Sequence, residues 1–176
     1  MEIIRDRMTA KIEGEFVVFL IGARLNKWWK LRQFRWVGQA MNDMLEELEN
    51  AAGTGESDMG FLGVERFGFR RSLLVQYWRS LDQLMAYARQ QDAVHFPAWA
   101  RFNREIGSNG DIGIWHETYV VKPGEYECVY NNMPAYGLAR VTEMVPARGN
   151  RLSARGRLGT SDGGDAPISI TGEIES

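Results

Sequence analysis

Residues 15–25, EFVVFLIGARL, are apolar at consecutive positions over a span too short for a helix of that polarity. This predicts a strand shielded from water on both faces. One face would meet helices and the other a partner chain. From Asn26 the period lengthens: Trp29, Trp36, Val37, Ala40, Met44 and Leu48 recur at spacings of three, four and seven. Gly53 and Gly55 follow as stop signals, so a helix is expected over about 27–51. Residues 59–67 (MGFLGVERF) and 72–79 (SLLVQYWR) are β-type runs whose short glycine-containing connection, GFRR, suits a hairpin. Ser80 with Gln83 forms a capping box that opens a second helix from Leu81 to about Gln91. Pro97 fits the first turn of a new helix better than the interior of an old one. DAVHFPAWARFNREI therefore reads as a kink and a further short helix, with His95 at the break. Gly107 and Gly110 end it, and residues 112–121 (IGIWHETYVV) form a fourth strand closed by Pro123 and Gly124.

The order β-α-β-β-α-β predicts an α+β class, ferredoxin-like fold, in which a four-stranded antiparallel sheet carries two helices on one face. The other face is left apolar, and packing two sheets face to face in a homodimer would cover it. Residues 125–146 are expected to wrap the rim, with a short β-like piece at YECVY and a polar turn formed by Asn131 and Asn132. After Pro146 the chain turns to Gly, Arg, Ser and Asp with few apolar residues. A domain over 1–146 is thus expected to be followed by a C-terminal extension over 147–176, poorly packed or extended.

Length and charge narrow the partners. A chain of 176 residues is one ordinary domain, and 21 basic against 23 acidic side chains leave no basic field for nucleic acid. Phe16–Ile21, the longest apolar stretch, falls far short of the roughly 20 residues that cross a bilayer. The single cysteine, Cys128, can form no internal disulfide and supplies no zinc set. With a charged N-terminus unlike a secretory signal, a cytoplasmic location without membrane contact is expected. In the first helix Lys27, Lys30, Arg32 and Arg35 crowd the start while Asp43, Glu46, Glu47 and Glu49 crowd the end, against the macrodipole. This is either a solvated face or a basic rim for an anionic ligand.

Candidate chemistry centres on two histidines, His95 and His116, each set among aromatics in HFPAW and IWHETY. Period two puts His116 on one strand face with Ile112, Ile114, Thr118 and Val120, and puts Trp115, Glu117 and Tyr119 on the other. An imidazole among apolar neighbours is a hydrogen-bonded core group, a general acid or base, or a ligand to a metal or haem iron. His95, at a helix break, would stand on the lip of a pocket. HExxH, GxSxG, CxxC and P-loop patterns are all absent from the sequence, so the corresponding hydrolases have no local support. Six tryptophans, Trp28, Trp29, Trp36, Trp78, Trp99 and Trp115, suit a core and also a flat aromatic lining for a hydrophobic ligand.

Taken together, QYWRS, HFPAWARFNREIG, GDIGIWHETY and YECVYNNMPAYGL resemble the monooxygenase Af470-like family (DUF4188), over roughly residues 10–158. The resemblance implies a dimeric α/β barrel, an architecture in which cofactor-free monooxygenation and haem chemistry both occur. The motif positions it carries over are His95, Trp99, His116, Glu117, Tyr119 and Asn132. The expected function is a monooxygenase-like oxidoreductase acting on a hydrophobic small molecule between sheet and helices. His116 and His95 would be acid/base or ligand groups, Glu117 and Asn132 orienting partners, and Trp78, Trp99, Trp115 and Tyr119 pocket walls. The cofactor would be none or haem b. Two alternatives stand beside this: a haem-dependent lyase of aldoxime-dehydratase type with His116 or His95 on the iron, and a non-catalytic ligand-binding dimer.

Overall fold

A computed structural model of the chain describes residues 2–54, 59–68, 71–90, 93 and 95–160. In chain order these form β1 (Ile4–Lys11), β2 (Phe16–Leu25), α1 (Leu31–Thr54), β3 (Phe61–Phe67), β4 (Arg71–Trp78), α2 (Leu81–Arg89), α3 (His95–Glu105) and β5 (Ile112–Val121). They continue with β6 (Tyr130–Met133), α4 (Leu138–Val141), β7 (Glu143–Pro146) and α5 (Ala154–Arg157). The chain divides into two compact units, Glu15–Val120 and a second made of Met1–Gly14 with Val121–Ser176. This differs from the single domain expected over 1–146, because the N-terminal residues form a strand that pairs with late ones. Among the described residues no helix is long and apolar enough to cross a membrane.

In the larger unit the sheet order is β3-β4-β2-β5, the ferredoxin-like order expected from the sequence. β2 and β3 both pair antiparallel with β4. The register sets Val17, Phe19 and Ile21 opposite Trp78, Gln76 and Leu74, so these residues share the face toward the helices. Val17, Leu45, Leu48, Val64 and Trp78 have almost no exposed surface. Each such side chain contributes about 1.5–3 kcal/mol by leaving water.

Helix α1 runs close to the expected span but starts later. Trp28–Lys30 make one 3-10 turn ahead of it, and Trp29, expected on the apolar stripe, is exposed there beside Trp28. The turn is held by Asp111. Its carboxylate takes the Lys27 and Lys30 ammonium groups at 2.7 and 2.9 Å, and its carbonyl accepts the Asn26 and Lys27 backbone N–H groups. Two of the four cations of the proposed basic rim are thereby paired within the unit. Helix α2 carries the expected cap: Ser80 Oγ accepts the Gln83 N–H at 3.2 Å and its hydroxyl donates to Gln83 Oε1 at 2.9 Å. The helical stretch then breaks and restarts at His95.

The smaller unit holds a sheet ordered β6-β1-β7, with both pairs antiparallel. Asn131 and Asn132, expected as turn formers, lie in β6. Asn132 takes a φ of 52°, where the pairing of β1 with β6 shifts register between Ile4 and Arg7. Asparagine tolerates that left-handed backbone better than most residues. The segment after Pro146 is not extended as far as residue 160. Ala147 donates to the Arg7 carbonyl at 2.8 Å, and the Arg157 guanidinium is buried, donating to the Arg151 and Leu152 carbonyls and pairing with Glu127. The expectation for 161–176 falls outside the described residues.

Candidate functional site

Within the larger unit, a cavity of about 340 Å³ lies between the inner sheet face and helices α1, α2 and α3, a volume in the range of small-molecule sites. Phe19 and Ile21 of β2 and Ile114 of β5 form its sheet side, and Val37, Met41 and Met44 of α1 face them. The restart at His95 lets α3 add Phe96, Trp99 and Phe102. No Asp, Glu, Lys or Arg stands among the described lining residues. A charged guest would therefore meet no fixed counter-charge.

Two polar side chains interrupt this wall. His95 packs its ring 4.7 Å from that of Tyr87 and sets Nε2 3.3 Å from the Ala88 carbonyl oxygen. A carbonyl only accepts, so Nε2 carries the hydrogen, and the tautomer this selects has its lone pair on Nδ1. Nδ1 is buried and has no partner among the described residues. Gln76 is 1% exposed, and its Oε1 accepts the Trp78 indole N–H at 3.0 Å. An indole nitrogen only donates, which fixes which end of the amide faces it. The Nε2 end is left buried without a partner among the described residues. A buried polar group left unmet costs about 1–3 kcal/mol, and two of them stand in this one cavity wall.

Tyr87 also lines the cavity but is chemically quiet. Its hydroxyl donates to Glu47 at 3.0 Å, and burial together with that carboxylate holds the phenol far above its usual range. It stays protonated and acts as wall.

The residues proposed from sequence are distributed unevenly around this site. Trp78 and Trp99 line the cavity with His95, Trp78 fully buried and Trp99 half exposed, its ring stacked on Phe102. His116 stands with its ring 5.7 Å from that of Phe19, yet it is exposed and absent from the lining; the cavity's contact with β5 is at Ile114. Trp115 and Tyr119, expected as pocket walls, do not line the cavity. Trp115 lies across Gly22, where an added Cβ would sit 2.6 Å from the indole nitrogen; Gly22 pairs with Leu73, one position away from the inward row. Glu117, expected to orient an imidazole, accepts the Tyr119 hydroxyl at 2.6 Å, which raises the Tyr119 pKa. Asn132, the other expected orienting group, is exposed on β6 of the smaller unit and is not a lining residue. Gln76 was missed although the sequence carries a signal for it: in SLLVQYW it alternates with Leu74 and Trp78, a lone amide in an inward apolar row.

The described residues of the cavity wall do not fit a haem iron. The less hindered nitrogen of His95, Nε2, is on the Ala88 carbonyl. The free Nδ1 sits beside the residue's own Cβ, which would meet a porphyrin plane set on that nitrogen. His116 is not in the wall. A proton makes no such steric demand on Nδ1.

Residues 16–138 match the family described as Monooxygenase af470-like. Monooxygenase af470 of Aspergillus fumigatus is 24% identical over 149 residues, which are 74% of this chain and 52% of that protein. The chain thus spans about half the length of the curated relative it matches. Among solved structures, that of an aldoxime dehydratase is similar with a TM-score of 0.50 and 15% identity, covering 80% of this chain and 39% of that one. This is a likeness of fold. With more than two thirds of its length matched, the chain belongs to the monooxygenase af470-like family.

Proposed function

We propose that the chain is a monooxygenase-like oxidoreductase that takes an apolar small molecule into this cavity and uses His95 as its general base. The observation that carries the reading is the unpartnered Nδ1 of a half-buried imidazole in an otherwise apolar wall. A neutral imidazole there can take a proton from an acidified C–H of the guest, a role worth about 10²–10⁴ in rate. The resulting carbanion is electron-rich enough to react with dioxygen. For an activated methylene the sum R₂CH₂ + O₂ → R₂C=O + H₂O balances with all four electrons supplied by the substrate. One oxygen atom enters the product, the other leaves as water, and His95 returns its proton to that water.

The outer sheet face carries half-buried Val18, Leu20, Val75 and Tyr77 with exposed Trp115 and Tyr119. A second copy of the chain is the partner we assign to it, and sedimentation of the purified protein tests this directly. For the chemistry, dioxygen uptake with 2-tetralone, whose C1 methylene lies between an aryl ring and a carbonyl, is the assay. His95→Ala should lower turnover by about 10²–10⁴, while His116→Ala should stay near the parent rate. Full activity in His95→Ala would remove the proposed base.

A further inference from the structure

We infer that Gln76 is the polar anchor of the cavity, donating from its amide Nε2 to a neutral oxygen acceptor on the guest. The ligand class is therefore an apolar molecule bearing a carbonyl-type oxygen, rather than a hydrocarbon or a carboxylate. This rests on reading the cavity as a small-molecule site, and it stands apart from the oxidation proposed there.

The Trp78 N–H occupies Gln76 Oε1, and Trp78 is itself fully buried, so the amide cannot turn over without leaving that N–H unmet. Trp78 is held in turn by the Phe61 ring at 5.3 Å and the Tyr87 ring at 5.7 Å. The amide is thus oriented before any guest arrives, which lowers the entropy lost on binding. What remains is an NH₂ group with no acceptor among the described residues, on a side chain that lines the cavity and is 1% exposed. That nitrogen lies just behind the cavity surface and meets no acceptor among the described residues, so a guest whose entry shifts the wall enough to expose it brings the acceptor in its own oxygen. The acceptor is neutral because no Lys or Arg is among the described lining residues, and a carboxylate taken out of water needs such a partner.

The test uses the full chain and three naphthalene probes: 2-acetylnaphthalene, 2-isopropenylnaphthalene and 2-naphthoate. The first two differ only by exchange of C=O for C=CH₂. Equilibrium dialysis should show the ketone binding about tenfold tighter than the alkene, the scale of one well-made hydrogen bond to a buried donor. In infrared spectra its C=O stretch should move to lower frequency on binding. Gln76→Met, close in volume, should remove both the preference and the frequency shift while the alkene still binds. Because the ketone and alkene are compared on the unaltered protein, the inference can fail without any variant folding. Equal affinities would overturn it and leave the cavity reading intact, whereas binding of none of the three would overturn both. Tightest binding by 2-naphthoate would overturn the neutral-acceptor class.

Discussion

In the larger unit the interior is side chain packed on side chain: Val17, Leu45, Leu48 and Trp78 are wholly buried, and the fixed contacts are ring against ring, as in Phe61–Trp78 and Trp78–Tyr87. The smaller unit buries smaller apolar side chains, Met8, Ala10, Leu138, Ala139 and Ala147, and adds directed polar contacts to them. The Thr9 hydroxyl donates to the Cys128 carbonyl at 2.8 Å, the Ala10 N–H points at Cys128 Sγ at 3.4 Å, and Arg157 gathers Glu127 and two carbonyls. Packing is non-directional, so its strength follows apolar area and the void it encloses follows the shapes of rings and methyl groups. Hydrogen bonds are directional and individually modest, so a segment held by them depends on a few named donors. The comparison teaches where the largest single losses lie: in the larger unit at its buried rings, in the smaller one at polar residues such as Arg157.

The largest effect is expected at Trp78. Replacing it by Ala removes the central ring of the packed interior and should lower the unfolding free energy by about 3–5 kcal/mol. Urea denaturation followed by circular dichroism measures this, and a loss under about 1 kcal/mol would mean that the ring is not central. Next comes Arg157→Ala in the smaller unit, expected to cost about 1–3 kcal/mol. Its signature is local, a loss of amide hydrogen-exchange protection across residues 149–157. Unchanged protection there would show that apolar contacts, rather than the guanidinium, hold the segment. Ser80→Ala removes the cap of α2 and should cost about 1 kcal/mol, read as a small shift in the urea midpoint.

The subtlest effect concerns acid. Hydrogen bonds from Lys27, then Lys30, hold the Asp111 carboxyl below its ordinary range. The native state therefore keeps this group ionised at pH values where the unfolded chain takes up a proton. Stability from Asp111 is fully present above about pH 4, the ordinary carboxylate value, and is lost as pH falls through the depressed native value. Asp111→Asn should flatten the fall of the urea midpoint between pH 5 and pH 2. An unaltered slope would place the acid sensitivity on other carboxylates.

Legibility divides along the same line as the two units. The four strands of the larger sheet, the capped α2 and the restart at His95 follow from period, capping chemistry and proline geometry, all local properties. β1 was not legible, because IRDRMTAK buries only Met8, Thr9 and Ala10 and shows a polar exterior to any periodicity test. β6 was misread for a related reason: asparagine favours turns locally, whereas here its left-handed tolerance serves a register shift within a strand.

At the site, sequence period correctly separated His116 from Trp115, Glu117 and Tyr119. What it could not give was how far along β5 the helices extend their cover, and that length decides that Ile114 is a wall and His116 is not. The sequence by itself determined the order of elements within the larger unit, the two faces of β5 and the aromatic character of the interior, because these depend on residues a few positions apart. Only the tertiary structure decided which inward residues enclose a void, and which polar atoms within it are left without partners. Those depend on side chains brought together from β4, α2 and α3, whose separation along the chain hides their contact.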